Sequence, residues 1–173
     1  MVSIAMQGKR HDRRRQAAGF SLIEIGVVLG IVGIVTALAT PMFLRYYQGA
    51  QLTAAARQLA TTLNSGRQLA ISRNDSVCVH SAPASLHFHV GTCASAVETP
   101  TVASRDGGYW VGAGTNAAGN FAIPGGMTIT TTANPQFTYL GAAAPGATYT
   151  VKNTRTNTTL TVTVAGSGRI TVP

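Results

Sequence analysis

The hydrophobic pattern of the chain changes twice. From Ile25 to Ala39 no residue is charged, and the apolar character runs past Pro41 to Leu44. That is roughly the 20 residues a membrane-spanning helix needs. Leu44, Ala54, Ala55, Leu59, Leu63 and Leu69 then recur at helix-like spacing through QLTAAARQLATTLNSGRQLAISR, the mark of an amphipathic helix. No Gly-Pro cluster separates the two parts. The pattern therefore predicts one helix from Ser21 to Arg73, apolar in its first half and two-faced in its second, about 80 Å long at 1.5 Å per residue.

After Arg73-Asn74-Asp75 the period falls to two. Candidate strands are SVCVH (76–80), LHFHV (86–90), YWVG (109–112), MTITT (127–131), QFTYL (136–140), TYTVK (148–152), TTLTVTVAG (158–166) and RITV (169–172). Turn-rich pieces such as APGA, NTRTN and GTNAAGN lie between them. The later strands are dense in Thr, Val and Ile, which suit a pleated, half-buried surface. The expected class is α+β: a long N-terminal helix, membrane-embedded in one half and amphipathic in the other, packed on an antiparallel β-domain. Residues 113–126, rich in Gly, Ala and Asn, read as a long surface loop.

The 173 residues suffice for one domain plus an anchor. The formal charge of +8 is uneven, with half of it supplied by Lys9, Arg10, Arg13, Arg14 and Arg15 against Asp12. Basic residues before an apolar segment predict that residues 1–18 stay cytoplasmic. The globular part then lies outside, in the periplasm of a cell that has one. There it carries only Asp75, Glu98 and Asp106 as carboxylates, with no Gly-x-Ser-x-Gly and no phosphate loop. Acid–base catalysis needs titratable groups within mutual reach, so the sequence argues against an enzyme and calls for no cofactor.

Three readings of the N-terminal segment compete. A plain uncleaved anchor is the first. A secretory signal cut after Ala37-Leu38-Ala39 is the second. It is opposed by Glu24 within the apolar part, by Pro41 just past the cut, and by the helical pattern that continues beyond. Glu24 is also the difficulty for the first, because a carboxylate in hydrocarbon costs a few kcal/mol even on lenient scales and implies a function and a partner.

The third reading accounts for Glu24. GFSLIE, preceded by basic residues and followed by an apolar run, closely resembles the signal of type IV pilins and pseudopilins. The resemblance implies that a prepilin peptidase removes residues 1–19, cutting between Gly19 and Phe20, and methylates the new N-terminus at Phe20. It implies that Glu24 meets the N-terminal amine of a neighbouring subunit during filament assembly, a register contact made strong by low dielectric. The family's helix-kinking proline falls on Pro41. Residues 20–44 would be the transmembrane half of the helix, 45–74 its amphipathic half and 75–173 the extracytoplasmic β-domain. Met6 is an alternative start giving a shorter leader. Gly26 and Gly30 form a small-xxx-small face suited to close helix packing.

Within the pilin-like proteins, LAISRNDSVCVH after the helix, YWVG at 109–112, FTYLG at 137–141 and the terminal GSGRI resemble the GspH/FimT family of minor pilins and pseudopilins. That resemblance implies a structural subunit of a type II secretion pseudopilus or a type IV pilus tip, held in the inner membrane with its C-terminal domain in the periplasm. Its partners would be the peptidase, other pilins and membrane lipid. The alternative is a DNA-binding competence pilin, since some members bind DNA through a C-terminal Gly-Arg-x-Arg motif. Gly168-Arg169 matches it, whereas Thr171 stands where the second arginine belongs. Lys152, Arg155 and Arg169 have no acidic residue after Asp106 to neutralise them, which makes them the candidate DNA contacts.

Two cysteines, Cys78 and Cys93, lie in the part expected outside the cytoplasm, where an even count most simply gives one disulfide. A competing arrangement is metal-like. Cys78 and His80, then His87 and His89, share strand faces. A hairpin pairing His80 with His87 would bring all four side chains together, as a tetrahedral zinc site requires. A one-residue slip would send the pairs to opposite faces, and a disulfide would take the thiolate, so the expectation is no metal.

Overall fold

The structure is a computed structural model and describes residues 19–93 and 109–173. The leader expected over residues 1–19 lies outside it up to residue 18, as do Glu98, Arg105 and Asp106.

Helix α1 spans Leu22–Arg73 without interruption, as the pattern predicts. Its end is set by Asn74, whose φ of 50° is the left-handed conformation that closes many helices. The Asp75 N–H then donates to the Ala70 carbonyl at 3.2 Å. The chain divides into two compact units, residues 1–42 and 43–173. In the first, the described residues are the apolar half of α1 with its approach.

The second unit holds the rest of α1 and nine short strands among the described residues: β1 (Val77–Ala82), β2 (Ser85–Val90), β3 (Asn120–Ala122), β4 (Met127–Thr131), β5 (Gln136–Phe137), β6 (Ala143–Ala144), β7 (Ala147–Asn153), β8 (Thr159–Val164) and β9 (Ile170–Thr171). They form two antiparallel sheets, ordered β3-β2-β1-β5-β6 and β4-β7-β8-β9. One core joins both sheets to the helix. Leu52, Ala55, Ala56, Leu59, Leu63 and Ala70 supply the helix face, a stripe at the three- and four-residue spacing of an amphipathic helix. Val79, Leu86 and Phe88 meet it from the first sheet, and Tyr149, Val151, Val162 and Val164 from the second. A Cβ on Gly66 would stand 3.0 Å from the Phe88 ring, so the glycine lets that ring lie against the helix.

Three expectations about strands need correction. YWVG contributes only a single bridge, His89 to Tyr109. The Trp110 ring folds back over Gly112, where a Cβ would come within 2.1 Å of it, so the chain bends instead of extending. QFTYL is a strand only at Gln136–Phe137. Thr138 and Ala142 close a turn at 2.8 Å, which leaves Tyr139 and Leu140 exposed at its tip. The stretch 113–126 is not wholly loop, since Phe121 is buried and β3 pairs with β2 there.

Candidate functional site

The apolar half of α1 begins at a side-chain cap. Ser21 Oγ accepts from the Ile23 N–H at 3.4 Å, and the Ser21 carbonyl accepts from the Ile25 N–H at 3.2 Å. Glu24 sits in the first turn, where the positive end of the helix dipole favours a negative charge. It is exposed, and so are Phe20, Leu22, Ile23 and every large apolar side chain from Ile25 to Leu44. Two threonines in this run are satisfied by the helix itself: Thr36 and Thr40 donate to the carbonyls four residues back, each at 2.7 Å. Pro41 lies inside the helix and has no N–H to give. A Cβ on Gly26, Gly30 or Gly33 would meet nothing within 4 Å. Among the described residues, nothing crowds these glycines and nothing covers these apolar side chains.

The three C-terminal cations are all exposed, yet they do not converge. Lys152 lies on the outward face of β7, opposite Thr128 and Thr159. Arg155 follows in the β7–β8 turn, where its N–H donates to Asn153 Oδ1 at 2.9 Å. Arg169 precedes β9 at the other end of β8. Those six residues of β8 separate it from Arg155 by roughly 20 Å at the usual rise of a strand. Arg67 of α1 reaches this second end, its Nε 3.2 Å from where a Cβ of Gly168 would stand. Arg67 Nε also donates to the Gly141 carbonyl at 2.9 Å. Sequence reading missed this tie, because nothing in the spacing of residues 67 and 141 announces it.

Cys78 and Cys93 form a disulfide. Around it the Cys93 N–H donates to Gln136 Oε1 at 3.3 Å. In the β1–β2 hairpin Cys78 pairs with His89 and His80 with His87, so all four side chains share one face of the sheet. His80 and His87 stack at 5.4 Å, and His80 meets His89 edge-on at 6.3 Å. The Tyr109 ring lies 4.1 Å from that of His87. No group of three His, Cys, Asp or Glu side chains among the described residues is arranged to hold a metal ion.

The chain's fold is similar to that of the minor pseudopilin EpsH from the type 2 secretion system of Vibrio cholerae. The TM-score is 0.50 and the identity 11%, over 71% of this chain and 96% of that one. Two crystal structures of the type IV minor pilin FimU of Pseudomonas aeruginosa also resemble it. Their TM-scores are 0.49 and 0.48, with identities of 16% and 18% over 74% and 70% of this chain and 92% of each of theirs. No protein-family profile matches the chain, and no curated protein matches it in sequence. The likeness to EpsH is one of fold: a long N-terminal helix packed on an antiparallel β-domain is the pilin-like architecture.

Proposed function

We propose that the chain is a minor pilin or pseudopilin, a structural subunit of a type II secretion pseudopilus or of a type IV pilus tip. The observation that carries this reading is the segment Leu22–Met42, helical throughout, with its large apolar side chains exposed and Glu24 as its sole charge. A helix of that length and composition is long and apolar enough to cross a membrane. In the proposed sequence of events a prepilin peptidase cuts between Gly19 and Phe20 and methylates Phe20. The helix holds the protein in the inner membrane with the β-domain in the periplasm. Glu24 then pairs with the N-terminal amine of the neighbouring subunit as the helix leaves lipid for the filament. An uncompensated charge in an apolar surround is costly and a paired one is not, so Glu24 selects one register. The open faces of Gly26 and Gly30 give neighbouring helices room to approach.

A second reading, DNA capture, draws support from Arg169, exposed beside Arg67 at one end of the β-domain. The separation of Arg155 and Lys152 from that end favours assembly over it, because phosphate binding grows with the number of cations acting together.

The test is expression of the full chain with a prepilin peptidase and the pilins of its own cell, followed by mass spectrometry. The expected product begins at Phe20 and carries one added methyl group. Glu24→Ala should be cut and methylated but absent from the filament fraction. A product that begins at Thr40 would replace this reading with an ordinary secretory signal.

A further inference from the structure

A cavity opens where the apolar run of α1 ends. Leu44 is the last residue of that run, and Arg45 is the first charge after Glu24. Phe43, Tyr46 and Tyr47 are exposed around this point, and the rings of Phe43 and Tyr47 stack at 6.5 Å. Tyrosine beside a cation at the end of an apolar helix marks the level where hydrocarbon gives way to lipid headgroups. Leu44, Tyr47, Gln48 and Gln51 recur at three- and four-residue spacing and share one helix face. Opposite that face stand Asn153, the last residue of β7, and Arg155 in the turn after it, across a cavity of about 210 Å³. The turn is built to hold Arg155 there. Asn153 is buried, and its Oδ1 accepts from the N–H groups of Arg155 at 2.9 Å and Thr156 at 3.4 Å. Thr154 ties the turn to the loop before β4, its N–H and its hydroxyl donating to the Gly126 carbonyl at 2.9 and 3.0 Å. None of the residues lining the cavity is acidic, so its charge is complementary to an anion.

We infer that this cavity takes the headgroup of an anionic phospholipid from the outer face of the membrane, with Arg155 on the phosphate and the acyl chains leaving along Leu44. A planar guanidinium offers paired N–H donors to two phosphate oxygens. The Gln48 and Gln51 amides can both donate to and accept from hydroxyls, which a glycerol head carries. A choline head instead carries its own cation, which Arg155 repels and no carboxylate in the cavity offsets. The site therefore selects phosphatidylglycerol over phosphatidylcholine. The cavity is smaller than those that enclose drug-sized ligands, so it suits a headgroup and leaves the chains outside. The contact ties the β-domain to the membrane surface and is given up when the helix leaves lipid. The inference rests on the membrane-anchored reading proposed above.

The experiment uses the full chain reconstituted into phosphatidylcholine vesicles that carry spin-labelled phosphatidylglycerol or spin-labelled phosphatidylcholine. Electron paramagnetic resonance reads the fraction of label held by the protein. Labelled phosphatidylglycerol should associate about fivefold more strongly, the effect of one basic side chain at the surface. Arg155→Ala should remove most of that preference. Arg155→Lys should keep part of it, since lysine supplies charge without the fork. Arg169→Ala, at the far end of β8, should keep all of it. Sodium phosphate should displace no more label than sodium chloride of equal ionic strength. A chain that floats with the vesicles but shows no preference overturns the inference and leaves the anchored reading standing. A preference that survives Arg155→Ala overturns it in favour of Arg45 and general surface charge, and one lost equally in Arg169→Ala does the same. Displacement by phosphate beyond the chloride control makes the site one for free phosphate. Failure to float with the vesicles overturns the anchored reading itself, and the inference with it.

Discussion

Gly168 stands directly against the backbone of Gly141: a Cβ on Gly168 would lie 1.8 Å from the Gly141 carbonyl oxygen. Gly168 also has a φ of 79°, in the region that side chains disfavour. The same Gly141 carbonyl accepts the Arg67 Nε hydrogen bond. One oxygen thus ties the end of the sheet to the helix, and the glycine next to Arg169 is required by packing before any question of ligand binding arises.

Gly168→Ala should therefore destabilise the β-domain by at least about 2 kcal/mol, from positive-φ strain and the backbone overlap together. Arg169→Ala, at an exposed position, should leave stability within about 0.5 kcal/mol. Denaturant titration of the full chain and both variants separates the two roles. Equal losses would mean that Arg169 is structural as well.

The disulfide closes a loop of 15 residues, and its removal should cost about 3 kcal/mol. Urea unfolding of the chain before and after phosphine reduction, with chelator present, measures it.

Tyr149 gives the β-domain an alkaline limit. Its ring is fully buried. Burial pushes the phenol well above its ordinary value of 10.0, opposed only in part by the Thr131 hydroxyl. The neutral form is thus favoured in the folded state. Its contribution is complete below pH 10.0 and falls as pH rises beyond it, by up to about 1.4 kcal/mol per pH unit. Stability measured from pH 8 upward should show this decline. Tyr149→Phe should remove that component, and a decline unchanged in the variant would assign it elsewhere.

What the sequence made legible was whatever its local pattern determines. Helix α1 follows from spacing, and Met127–Thr131 from strict alternation. The pairing of His80 with His87 could be posed from sequence as a condition but not decided, because register depends on the turn at 83–84 and on which face the core takes. YWVG reads as a strand by composition, and only the Trp110 ring folding over Gly112 shows why it bends. The separation of Arg155 from Arg169 was hidden for a related reason. Residues that look adjacent in a Thr-rich tail sit at opposite ends of one strand, and a strand's direction is invisible until its partners are known.

That separation yields a prediction about nucleic acid. Arg169 and Thr171 are two apart, flank Ile170, and are both exposed. Thr171 pairs with Thr163 at the edge of its sheet, so an arginine there has room to point outward beside Arg169. In titrations of the full chain in detergent with duplex DNA, at several salt concentrations, Thr171→Arg should tighten binding. It should also steepen the dependence of log K on log salt by about 0.9, the value of one added phosphate contact. Arg169→Ala should weaken whatever the parent chain binds, and Arg155→Ala, at the far end of β8, should leave the slope unchanged. If Arg155→Ala lowers the slope as much as Arg169→Ala does, DNA lies along the outward face of the second sheet, across Lys152, and the two ends act as one surface after all.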